Sequence, residues 1–159
     1  MKKTKLIILV ATIALLLSSC STFDGYYYSL EDARTKDQYA KYYDNENLIF
    51  SKSLDNGIID FIIDDDSLHI MCIVKKSKAD KELFQIKTAA SFMLNEQIQN
   101  FKDNEQYKFH DSTTLAALQY SWCIVTKQYN ENNDNLDSFE FEHNNQLYHL
   151  CVKAVNIPS

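Results

Sequence analysis

The run Leu48 to Leu54 and the run Ile58 to Ile63 are separated only by Asp55, Asn56 and Gly57. That pattern predicts a β-hairpin, with Asn-Gly supplying the positive φ angles of a type I′ turn. Asp64, Asp65 and Asp66 mark a second turn, and Ser67 to Lys75 follows with Leu68, Ile70, Cys72 and Val74 on one face, as a third antiparallel strand. Upstream, Ser29 with Asp32 three positions on is a helix-start pattern, and Leu30, Ala33, Ala40 and Tyr43 fall near one face; a helix is predicted from Leu30 to about Tyr42. Between Leu83 and Phe101 the apolar positions fit two periods, and strand is preferred as far as Leu94.

The later chain is more broken. Residues 102 to 119 are polar and mixed, with a helical turn expected near Leu115 to Leu118, and Tyr120 to Lys127 reads as a strand. An asparagine-rich loop from Asn130 to Asn135 precedes a closing hairpin, Ser138 to Glu142 and Leu147 to Val155 around a turn at Asn144 and Asn145. In its last strand Tyr148, Leu150, Val152 and Ala154 share one face, leaving His149, Cys151 and Lys153 on the other. The expected fold class is α+β, with an N-terminal helix packed on a mostly antiparallel, meander-type sheet.

The first twenty residues differ in kind. Lys2, Lys3 and Lys5 precede an apolar run from Leu6 to Leu17, which is followed by Ser18, Ser19 and Cys20. Twelve helical residues span roughly 18 Å, short of the ~30 Å core of a bilayer, so the run reads as a secretory signal rather than a membrane span. Leu17-Ser18-Ser19-Cys20 resembles the lipobox of bacterial lipoproteins. The resemblance implies cleavage between Ser19 and Cys20, a thioether-linked diacylglycerol on Cys20, and often a further acyl chain such as palmitate on the new amino group. One chain binds a membrane reversibly, whereas two or more hold durably. The organisation expected is then 1–19 signal peptide, 20–28 lipidated tether and 29–159 a single α+β domain.

Charge and cysteine usage refine this. Without the leader, which holds three of the 16 basic residues and none of the 22 acidic ones, 13 basic against 22 acidic residues leave a net charge of −9. A body that acidic argues against nucleic acid and against direct contact with anionic lipid. Cys72, Cys123 and Cys151 remain, an odd number without Cys-x-x-Cys spacing, so one disulfide at most can form. Cys72 and Cys123 are read as buried thiols, and Cys151 as partly covered by the helix.

Site chemistry is sparse. Gly25 and Gly57 are the only glycines, so no phosphate-cradling loop, dinucleotide fingerprint or nucleophile elbow can be built. Asp64, Asp65 and Asp66 read as a solvated turn, because consecutive aspartates diverge. Asn130, Asn132, Asp134 and Asp137 approach calcium-loop alternation, but Asn135 stands where glycine is needed and Phe141 where a bidentate glutamate is needed. His149 and Cys151 could ligate a transition metal were His69 or His143 to come near. Ten tyrosines, nine phenylalanines and one tryptophan exceed what a strand core requires; Tyr26, Tyr27, Tyr28, Tyr39, Tyr42 and Tyr43 are expected to pack the helix onto the sheet rather than to form a recognition patch.

Tyr28-Ser29-Leu30-Glu31-Asp32-Ala33, with Asp55-Asn56-Gly57-Ile58-Ile59-Asp60-Phe61, resembles small lipoproteins of low-GC Gram-positive bacteria. The expectation is a non-catalytic accessory or binding protein on the extracytoplasmic face of a cell membrane. It is anchored through Cys20, needs no cofactor, binds no nucleic acid and partners another envelope or surface protein. Two alternatives are an immunity or phage-exclusion lipoprotein and a metal-dependent envelope hydrolase or metal carrier using His149, Cys151 and the aspartates.

Overall fold

The computed structural model describes residues 25–43, 46–99, 108–111, 118–126 and 136–156. The signal segment, Cys20, Phe101, residues 115–117 of the helical turn expected near Leu115 to Leu118, Lys127 and the loop Asn130 to Asn135 lie outside the described residues; Leu118 itself is strand, not helical turn.

A four-stranded antiparallel meander comes first: β1 (Leu48–Leu54), β2 (Gly57–Asp64), β3 (Ser67–Lys78) and β4 (Lys81–Met93), in that spatial order. One helical turn, α2 (Leu94–Gln97), leads to β5 (Ile98–Gln99) and into a second sheet. That sheet has the order β5, β7 (Leu118–Val125), β9 (Gln146–Asn156), β8 (Leu136–His143), and the short β6 (His110–Asp111) also pairs with β7. The β5–β7 pair is parallel and the other pairings are antiparallel. Among the described residues no helix is long and apolar enough to cross a membrane.

The two sheets face each other. Ile59, Phe61, Leu68, Ile70 and Cys72 from the first meet Tyr120, Trp122, Ile124, Tyr148, Leu150 and Val152 from the second, with Leu94 and Leu118 closing the layer. Phe61 stands edge-on to both Tyr120 and Trp122, at 6.3 Å between centroids in each case. Because β2 and β3 are apolar at consecutive positions, they bury both faces: Ile58, Ile62, Met71 and Ile73 form a second core on the outer side of the first sheet. Leu30, Tyr39, Tyr42 and Tyr43 pack there. The architecture is thus a sheet-rich α+β fold, mostly antiparallel, with the meander read from the sequence as one of two sheets.

Several boundaries differ from the sequence reading. The first helix, α1, covers Leu30–Lys36, with Ser29 Oγ accepting from the Asp32 amide at 3.0 Å, and ends where Asp37 turns extended; a separate 3-10 turn occupies Ala40–Tyr42. The Asp37 carboxylate accepts from the Tyr39 amide, a local bond that competes with helix continuation. At the first hairpin Leu54 pairs with Gly57, so Asp55 and Asn56 form the loop, and neither Asn56 nor Gly57 has positive φ. Gly57 serves a different need: an added Cβ would run into the Ile73 carbonyl and Leu118 Cδ1, so glycine lets the backbone of β3 and a side chain of β7 approach β2. The type I′ geometry lies instead at Asn144 (φ 51°) and Asn145 (φ 58°), where a turn was expected, and at Ala79 (φ 50°) and Asp80 (φ 62°), where none was. β3 and β4 extend through Lys78 and from Lys81.

Candidate functional site

A buried ionic network ties the outer layer together. Asp60, fully buried on β2, receives Arg34 Nε at 2.9 Å and Arg34 Nη2 at 2.7 Å, Tyr43 Oη at 3.0 Å and Ser51 Oγ at 2.7 Å. Four donors saturate the carboxylate, which is the condition for burying it at all. Burial, then the nearby Asp60 charge, pushes the Tyr43 phenol well above its ordinary range. The network joins α1, the 3-10 turn, β1 and β2, and its groups are consumed by each other. One sequence signal foreshadows it: Asp60 interrupts an otherwise apolar run, and a charge in such a strand needs a partner.

A place open to a ligand lies elsewhere among the described residues, where the β2–β3 turn meets the β8–β9 turn. An open groove of about 660 Å³ has Ile49, Ile63 and Phe141 as its floor and Glu46, Asp65, Asp66 and Glu142 around it, with His143 and Asn144 at one side. Asp65 takes positive φ (50°) to make the tight turn, and Asn144 does the same opposite it. His143 Nε2 lies 3.1 Å from Asp66 Oδ1 and 3.0 Å from Asn144 Nδ2. With a proton on Nε2 the ring donates to Asp66; without it, the same nitrogen accepts from the Asn144 amide. Four carboxylates against one imidazole make the rim negative. An apolar floor beneath an acidic rim suits a lysine or arginine side chain, whose aliphatic stem and charged head need those two environments.

The remaining sequence candidates separate. Asp64 Oδ1 accepts from Asn47 Nδ2 at 3.5 Å while Asp66 faces His143, so these two aspartates engage different partners, and Asp65 and Asp66 both border the groove. His149 is buried on β9 with Nδ1 3.9 Å from Glu140 Oε2; His69 sits on the first sheet, stacked on Tyr42 at 4.1 Å and bonded to Ser91 Oγ at 2.7 Å. His69, His143 and His149 therefore occupy three separate surroundings, and among the described residues no group of three or more His, Cys, Asp or Glu could hold a metal ion. Asp137 forms an ion pair with Lys52 at 2.8 Å.

Cys72, Cys123 and Cys151 are all buried free thiols. Cys151 is covered by Phe109 and Leu136 on the outer face of the second sheet, away from α1, which corrects the helix cover expected for it. It stands directly opposite Cys123 across β7 and β9. The contact between the two thiols, then burial, raises the pKa of Cys123, and the same contact lowers that of Cys151. Searches against protein-family models, curated proteins and solved structures find no match to this chain.

Sequence reasoning missed the groove because its two walls come from turns 77 residues apart in the chain. Only the acidic turn Asp64 to Asp66 signalled one wall.

Proposed function

We propose that this chain is a lipid-anchored, extracytoplasmic and non-catalytic binding protein of a bacterial cell envelope, held through Cys20. In this reading its acid-rimmed groove receives a basic segment of another envelope or surface protein. The groove, with four carboxylates over an apolar floor, is the observation that carries the binding role. The lipobox-like Leu17-Ser18-Ser19-Cys20 carries the anchor. The N-terminal helix packed on the first sheet then forms the outer layer next to the point where the tether enters.

Two measurements test the reading. Cells making the wild-type chain or Cys20→Ala are labelled with an alkynyl palmitate and fractionated; label on the wild-type membrane fraction alone is expected, and an unlabelled wild-type chain would end the anchor reading. Purified full chain is then titrated with a lysine-rich synthetic peptide and with its glutamate counterpart. Exposed ion pairs contribute up to ~1 kcal/mol each, so Asp65→Asn with Glu142→Gln should weaken the basic peptide by about tenfold. Equal binding of both peptides would refute the groove's role.

A further inference from the structure

β2 pairs with β3 only as far as Val74, while β3 and β4 continue together to Lys78 and Lys81. The end of this hairpin therefore projects beyond the sheet, and residues 76–82 are exposed. Lys75, Lys76, Lys78 and Lys81 lie on it, Lys87 lies further along β4, and Asp80 and Glu82 are the carboxylates among them, Glu82 paired with Lys75 at 3.3 Å. Five positive against two negative charges make the hairpin basic, in a domain whose sum is −9.

The start of the folded body is fastened to this hairpin. Tyr27 exchanges two backbone hydrogen bonds with Phe84, at 2.7 and 2.8 Å, and its ring is buried. Lys76 Nζ and Lys87 Nζ each stand 5.7 Å from the centre of the Tyr26 ring, and Lys81 Nζ 5.7 Å from that of Tyr28, which is 53% exposed. Lysines and tyrosines are thus interleaved where the chain arrives from residue 20. Five residues from Cys20 to Gly25 can reach at most about 18 Å.

From this arrangement we infer that the β3–β4 hairpin, with Tyr26 and Tyr28, is the surface by which the domain rests on the anionic phospholipid headgroups of the membrane that carries its own anchor. The inference builds on the anchor at Cys20 proposed above and adds a defined orientation. Each lysine near an anionic leaflet contributes roughly a fivefold preference, and tyrosine rings place an apolar body and a polar tip at the same depth. The acidic groove does not oppose this, because it lies at the other end of β3, about 35 Å of extended chain away, and charges are screened over ~8 Å at physiological salt. The negative sum that argued against anionic lipid is therefore not what the membrane meets.

The full lipidated chain is purified in detergent, reconstituted into vesicles of phosphatidylcholine or of phosphatidylcholine with about one third phosphatidylglycerol, and acetylated briefly for mass spectrometry. Acetylation of Lys76, Lys81 and Lys87 is expected to slow about fivefold in the anionic vesicles, with Lys52 and Lys153 unchanged, and molar salt should erase the difference. In the double variant Lys76→Glu with Lys81→Glu, whose fold is checked by circular dichroism, protection of Lys87 should fall. Equal rates in both vesicles, or equal protection by inorganic phosphate added to neutral vesicles, would overturn the inference. Protein that never carries lipid would instead defeat the anchor reading, so the two failures are distinguishable.

Discussion

The two ends of β3 carry opposite chemistry on one rigid strand. At its start, Asp65 and Asp66 join Glu46 and Glu142 around a groove with an apolar floor; at its finish, lysines on the hairpin flank two tyrosines. Between them run Leu68 to Ile73, buried on both faces. The difference teaches that the −9 left when residues 1–19 are set aside hides surfaces of both signs, and that a ligand meets only the surface it reaches. A membrane at the basic end would leave the acidic groove facing outward, available to another protein.

Separating the two ends depends on the sheet staying intact, and that is where the largest effect is expected. Arg34→Met leaves Asp60 buried without its cation, so stability should fall by about 3–5 kcal/mol, read as a large drop in the urea midpoint, with the groove and the hairpin lost together. Gly57→Ala forces a methyl against the Ile73 carbonyl and Leu118; a loss of about 1–3 kcal/mol is expected, and an unchanged midpoint would mean that the β3 backbone and the Leu118 side chain can both give way freely.

His69 gives a pH test. Burial holds its pKa below the ordinary value, with the Asp64 charge opposing and Lys41 assisting. Between that lowered pKa and ~6.5 the unfolded chain binds the proton and the folded one does not, so this group's contribution is present above ~6.5 and is lost as pH falls below it. His69→Gln should flatten the acid side of a stability-against-pH curve measured by urea melts. The smallest effect belongs to Lys52→Ala: its pair with Asp137 is more than a third exposed on both sides, so less than about 1 kcal/mol should be lost. A larger loss would show that the contact between β1 and β8 matters more to the sandwich than its exposure suggests.

Much of the fold was legible locally. The spacing around Asp55-Asn56-Gly57 identified β1 and β2, alternation identified one face of β3 and favoured strand for β4, and the split of β9 into Tyr148, Leu150 and Val152 on one side and His149, Cys151 and Lys153 on the other matches the cores that form. The Asn144-Asn145 turn was readable because asparagine tolerates the left-handed region. Asn56-Gly57 misled because glycine has two uses, and here the missing side chain, not the φ angle, is what the packing requires.

The sequence alone determined most of the long strands and the sum of the charge, because each depends on residues near one another in the chain, and it is the whole ground for proposing a leader that ends before Cys20. Only the tertiary structure decided that a second sheet covers the first, that Arg34 neutralises Asp60, that Cys123 faces Cys151, and that acidic and basic residues collect at opposite ends of β3. Those pairings join positions far apart in the chain, and local periodicity carries no information about which distant partners packing will bring together.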